Sequence, residues 1–138
     1  MVHRTIYITD FDLQRLNRLI ENALDSDPKD REYLDMLQEE LDHGKVVPSA
    51  EIPKDVITMN SRVLLVDQAT GESEELTLVF PEDADISQAK ISVLAPIGIA
   101  MLGYKVGDAF EWEVPAGKRR LKVKEIIYQP EAAGDYHL

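Results

Sequence analysis

The spacing of apolar residues changes period across a proline-punctuated segment, residues 46–55, and that break limits what the chain can fold into. Before it, Leu13, Leu16, Ile20, Ala23 and Leu24 recur at three- and four-residue steps with Gln14, Arg15, Arg18 and Glu21 between them, the signature of one amphipathic helix. Thr9 followed by Asp12 is a capping-box-like pair, and Ile8 with Leu13 occupies the staple positions, so this helix is expected to begin near Asp10. Asp27 before Pro28 starts a second helix, Leu34, Leu37 and Leu41 carry its stripe, and Gly44 stops it. The connection around Asp25 to Asp27 is short, so the helices fold back as an antiparallel pair. At ~1.5 Å rise per residue, roughly 15 residues per helix make an arm on the order of 22 Å long. A seam that short buries little apolar surface, so its base needs an anchor on the rest of the chain.

Pro48 and Pro53 mark a linker, after which the pattern becomes β-type. Strands are expected at Val56 to Met59, Arg62 to Val66, Leu76 to Phe80, Lys90 to Val93, Phe110 to Val114 and Leu121 to Tyr128. Thr70-Gly71 and Ala116-Gly117 read as hairpin turns and Gly107-Asp108 as a turn before a strand, with one short helix at Ile97 to Leu102. The expected architecture is α+β: residues 1–45 a two-helix coiled-coil arm, 46–55 a linker, and 56–138 an antiparallel sheet domain with one short helix.

Twenty-six acidic against fifteen basic residues give a formal charge of −11 and disfavour duplex DNA, whose binding needs Lys and Arg on phosphates. The partners this charge fits are proteins with basic or apolar surfaces. No apolar run approaches the roughly 20 residues that cross a bilayer, and no secretory leader is expected before Tyr7. The absence of cysteine excludes disulfides and thiol chemistry and fits a reducing cytoplasm. His3, His43 and His137 form no triad or metal pattern, and Gly98 and Gly103 fit no phosphate cradle, so neither an enzyme nor a cofactor is expected.

Two features stand out. At the arm tip, Asp25, Asp27, Asp30 and Glu32 crowd carboxylates of the kind Mg²⁺ prefers. Helix capping by Asp27 and a favourable dipole position for Asp30 and Glu32 account for them better, because Lys29 and Arg31 are interleaved, and no metal site is expected. The second feature is the uncharged stretch from Ala95 to Gly103, too apolar for one short helix with one inward face. Leu102 is expected in the core, and some of the remaining side chains are expected to be exposed as a docking patch.

The run Ala95-Pro96-Ile97-Gly98-Ile99-Ala100-Met101-Leu102-Gly103-Tyr104-Lys105-Val106-Gly107-Asp108 resembles the Ser-Pro-Leu-Gly-Arg-Ala-Leu-Leu-Gly-Lys-x-Val-Gly-Asp segment of the bacterial Gre transcript-cleavage factors. With Asn60-Ser61-Arg62-Val63 and Thr70-Gly71-Glu72 the likeness covers roughly Pro53 to Tyr128. Thr58 to Arg62 and Tyr128-Gln129-Pro130-Glu131-Ala132-Ala133-Gly134-Asp135-Tyr136 resemble, more narrowly, the Rnk regulators of nucleoside diphosphate kinase, a likeness running over essentially the whole chain.

The resemblance implies an FKBP-like C-terminal domain that grips RNA polymerase at the rim of its secondary channel, with Pro96, Ile97, Gly98, Ile99 and Leu102 at the contact. It also implies a monomer whose arm points inward. Gre factors use two acidic tip residues to help position a catalytic Mg²⁺. Rnk proteins have a shorter arm and compete for the channel without stimulating cleavage, so an effect on nucleoside diphosphate kinase is expected to be indirect. Ala95 stands for the family serine and Ile99 for its arginine, so polar contacts at those positions do not carry over. An FKBP-like fold does not by itself imply isomerase activity, and with Trp112 and three phenylalanines no aromatic proline pocket is apparent. Two other readings stay open: a true cleavage cofactor using the acidic tip, and a direct protein regulator of the kinase.

Overall fold

The computed structural model describes residues 6–22, 28–114, 117–135 and 138, with side chains for all of these except 28–30 and 112–114. Two helices come first, α1 (Asp10–Asn22) and α2 (Pro28–Asp42), within a residue or two of the ends that capping and proline signals predict. Ala23, Leu24, Asp25 and Asp27 lie outside the described residues. The apolar stripes meet as expected: Leu16, Leu37 and Leu41 are buried, with Leu13, Leu19, Ile20 and Tyr33 packed against them.

The base of the arm is closed by a feature the periodicity did not announce. The chain enters α1 through β1 (Tyr7–Thr9) and leaves α2 through β2 (Lys45–Val47), and these two short strands pair in parallel, Ile8 opposite Val46. The turn at Gly44, whose N–H donates to the Leu41 carbonyl at 3.2 Å, reverses the chain after α2 and so sets β2 parallel to β1. Strands of three residues carry too little periodicity to be seen in sequence.

The second part is a five-stranded sheet ordered β5-β4-β3-β7-β6, built from β3 (Arg62–Asp67), β4 (Ser73–Val79), β5 (Lys90–Ser92), β6 (Ala109–Val114) and β7 (Gly117–Tyr128). It is antiparallel except for β4 and β5, which pair in parallel, a departure from the wholly antiparallel sheet that the sequence predicts. The ten residues between them, 80–89, include two single turns of 3₁₀ helix, and that is enough chain for the crossover a parallel neighbour requires. A helix α3 (Pro96–Met101) follows β5, and a single turn, α4 (Pro130–Ala133), follows β7.

The strand expected at Val56 to Met59 is replaced by one isolated bridge, Val56 opposite Lys105. Ile57 still exchanges backbone bonds with Tyr104 and Gly103, but the chain turns away at once. The Ser61 hydroxyl accepts the Thr58 N–H at 3.0 Å, the Ser61 N–H donates to the Thr58 carbonyl at 3.1 Å, and Asn60 takes a left-handed φ of 67°. Side chains that bond nearby backbone compete with extended pairing.

One buried cluster runs through the whole molecule, joining Ile8, Leu16, Leu37 and Leu41 of the arm to Met101, Leu102, Val63, Leu65, Leu121 and Val123. Gly103 sits where the two parts touch: its φ is +81°, and a Cβ there would lie 2.6 Å from Ile6 Cβ. Gly71 has a similar φ, +77°, and open space around it. Gly71→Ala therefore pays only for a left-handed conformation, about 1 kcal/mol, whereas Gly103→Ala adds a clash between arm and sheet domain and lowers stability by about 2–4 kcal/mol, as read from urea unfolding midpoints.

Candidate functional site

α3 starts at Pro96, whose fixed φ suits the first helical turn, and ends where the left-handed Gly103 cannot continue the helix. It packs on β5 and β6 on one side and on α2 on the other. A helix covered on two sides has two inward faces, and this corrects the expectation that Ile97, Gly98, Ile99 and Leu102 are available at a docking contact. Ile97 is 7% exposed, Ile99 4% and Leu102 2%, with Met101 fully buried. Gly98 is buried where any Cβ would run into the Ser92 carbonyl. Apolar surface does remain at the rim of α3, where Leu94, Ala95, Pro96 and Ala100 are half-buried. Of the residues expected at the docking contact, Pro96 alone keeps substantial exposure.

A polar junction under the arm was not legible as such. The Thr9 hydroxyl accepts the Asp12 N–H at 3.0 Å, which is the expected half of the capping pair. The Asp12 carboxylate, however, is fully buried and turns to the sheet domain: Oδ2 accepts the Met59 N–H at 3.0 Å and Oδ1 accepts from Arg15 Nη2 at 2.6 Å. Burial raises its pKa to about 6, against the lowering effect of those hydrogen bonds and the Arg15 charge, with Glu131 nearby adding to the rise. The Arg15 guanidinium stacks on Phe11 at 4.0 Å and Phe80 at 4.8 Å, and donates to the Leu138 carbonyl oxygen at 2.8 Å. The i, i+3 spacing of Asp12 and Arg15 was the one available signal, and it reads equally well as an ordinary surface pair.

Beside the junction, the two segments that carry the narrower resemblance meet in space. Thr58 Oγ1 donates to Glu131 Oε1 at 2.7 Å, and Gln129 Nε2 donates to the carbonyls of Pro53 and Val56 at 2.8 and 2.7 Å. Tyr128 pairs with Arg62 across the sheet and its hydroxyl donates to Asp135. Residues 128–135 thus brace the turn that receives Asp12.

The expected tip residues are largely out of view: Asp25 and Asp27 lie outside the described residues, and Asp30 is placed in α2 without a described side chain. Among the described residues no group of three or more His, Asp or Glu could hold a metal ion, and no helix is long and apolar enough to cross a membrane. His43 places Nδ1 2.8 Å from the Glu39 carbonyl at the end of α2, and His3 and His137 lie outside the described residues.

Residues 52–128 match the family model described as transcription elongation factor GreA/GreB, C-terminal, and residues 4–47 match the model described as Rnk N-terminus. The chain belongs to the GreA/GreB family, in its Rnk-type form. It is 42% identical to the regulator of nucleoside diphosphate kinase of Escherichia coli over 100% of both chains. The transcription elongation factor GreA of Thermoanaerobacter pseudethanolicus is 40% identical over 65% of this chain and 57% of its own. A solved structure titled prokaryotic transcription elongation factor GreA/GreB from Nitrosomonas europaea superposes with a TM-score of 0.76 and 41% identity, covering 91% of this chain and 100% of that one. These relatives are named as regulators and transcription factors.

The junction has a pH signature. Because the folded-state pKa of Asp12 lies above its unfolded value of 3.8, the native state binds the extra proton, and stability falls as pH rises through about 4 to 6. The size is about 3 kcal/mol, from about two pKa units. Asp12→Asn removes this contribution, so the difference between wild type and variant in urea unfolding free energy shrinks in favour of the variant from pH 4 to pH 7; a difference independent of pH would contradict the assignment.

Proposed function

We propose that this protein docks on RNA polymerase at the entrance of its secondary channel and competes there with Gre-type factors without stimulating transcript cleavage. The observation that carries this reading is the GreA/GreB C-terminal match over residues 52–128 joined to an Rnk-type arm of only 13 and 15 helical residues. At ~1.5 Å per residue such helices reach about 20 Å. Competition needs only overlapping sites, whereas assisting cleavage needs carboxylates delivered to the chemistry. In this reading residues 1–45 are the arm, 46–55 the linker and 56–138 the docking domain, acting as a cytoplasmic monomer. In this reading the reach of the arm, rather than the acidity of the sequence around Asp25, Asp27 and Asp30, limits its action.

The contact on the polymerase runs through Pro96 with Leu94, Ala95 and Ala100, while Ile97, Gly98, Ile99 and Leu102 seat α3 from below. A second reading is favoured by the name of the Escherichia coli relative: direct action on nucleoside diphosphate kinase. The polymerase reading makes that effect indirect, and purified kinase mixed with this protein then shows neither a complex nor a change in rate.

Pro96→Asp tests the contact without disturbing the core, because aspartate suits the first turn of a helix. It is expected to weaken capture of purified RNA polymerase about tenfold or more by placing a carboxylate in a desolvated contact, with an unchanged unfolding midpoint. Wild-type protein is expected to displace a GreA factor from stalled elongation complexes and to release no 3′ RNA fragments when Mg²⁺ is present. Undiminished capture by Pro96→Asp removes the contact, and fragment release removes the competitor reading.

A further inference from the structure

The face of the sheet turned away from α3 and the arm carries a row of cations on a chain whose net charge is −11. In β7, Leu121 and Val123 are fully buried in the core, and the alternation of a strand sends Arg120 and Lys122 to the opposite face. A register shift between Leu64 and Leu65 makes Lys124 the extra residue of a bulge, and it too is exposed. Arg15, Arg62 and Arg119 each have a carboxylate partner, yet among the described residues no carboxylate comes within ion-pair distance of Arg120, Lys122 or Lys124. Glu111 faces Arg120 across the strands without pairing with it, Glu125 ends the row beside Lys124 on the same face opposite Leu64, and Lys122 lies opposite Ala109 on one side and Val66 on the other.

Beside the lysines the surface is apolar and concave. A groove of about 410 Å³ is lined by Val66, Val106, Lys122 and Lys124, and Val106 is 38% exposed. Residues two apart on a strand lie ~6.8 Å from each other. On a helix, residues four apart rise by ~6 Å. A helix with a carboxylate at every fourth position therefore matches the row in both charge and repeat, and an apolar side chain next to those carboxylates falls over the groove.

We propose that the outer face of β7 is a docking surface for an acidic amphipathic helix of a protein partner, with carboxylates on Arg120, Lys122 and Lys124 and an apolar side chain in the Val66–Val106 groove. The site lies on the opposite face of the sheet from α3 and stands independently of the polymerase reading. Mobile solvent ions screen charges beyond ~8 Å at physiological salt, so the −11 total does not cancel a local row of this density. An extended phosphate backbone is less favoured because the groove offers aliphatic rather than aromatic side chains, and unpaired bases bind by stacking on aromatic rings.

The test uses the full chain and a fluorescent peptide of four Glu-Ala-Gln-Leu repeats, with a peptide of the same composition but its glutamates in one block as control. The repeat peptide is expected to bind at least about fivefold more tightly than the blocked one. Lys122→Glu with Lys124→Glu is expected to weaken it about tenfold or more, and the neutral pair Lys122→Gln with Lys124→Gln by less. Lys45→Glu with Lys54→Glu, equal in charge change but elsewhere, is expected to leave it within about twofold. Equal binding of the two peptides, indifference to the β7 substitutions, or tighter binding of a single-stranded oligouridylate than of the repeat peptide each overturns the proposal. So does self-association of the chain in sedimentation that the β7 substitutions abolish, since the occupant is then a second copy.

Discussion

Burial of α3 between the sheet and the arm is the constraint on which the rest depends. Six residues cannot form a stable helix alone, and α3 has no side-chain cap at its start. It exists because β5 and β6 cover one side and α2 the other, so that Ile97, Ile99, Met101 and Leu102 all lose contact with water. The same packing anchors an arm whose own seam is too short to hold by itself. Arm and sheet domain are therefore parts of one core, and the orientation of the arm is set where Gly103 meets Ile6.

Against that apolar contact stands one buried polar junction. Asp12 is costly to bury charged, but Met59 and Arg15 provide it with donors. Each donor comes from a different place, one from helix α1 itself and one from the turn at Thr58 to Ser61. Replacing apolar neighbours by such a pair adds little stability; what it adds is direction, because the carboxylate is satisfied in only one placement of α1 over the turn. The C-terminal segment braces the turn through Glu131 and the chain leading into it through Gln129. This gives a physical reason why the two stretches that resemble Rnk proteins, joined by the Thr58–Glu131 bond across 73 positions of sequence, belong to one structural unit.

Helices α1 and α2, the sheet strands from β3 to β7 and the Thr70-Gly71 hairpin were legible because each is signalled within its own span, by spacing, caps or turn residues. Val56 to Met59 has the composition of a strand and every side chain buried, yet the Thr58 and Ser61 hydroxyls divert its backbone. Pro96 was identified as a contact residue and remains at the surface, whereas Ile97 beside it does not, since exposure on α3 depends on α2, more than 50 residues earlier. The charged row on β7 was present in the sequence as Lys118 to Lys124, but only strand alternation together with the neighbouring strands shows which cations lack partners.

The amino-acid sequence by itself determined the two-part plan, the order and type of the elements, and the family, because capping, periodicity and short motifs act over a few neighbouring residues. Tertiary structure decided the parallel closure of β1 on β2, the burial of both sides of α3, and the turning of Asp12 away from its own helix end toward Met59. Those outcomes depend on which surfaces exclude water together, and that is a property of segments far apart in the chain, which no local pattern encodes.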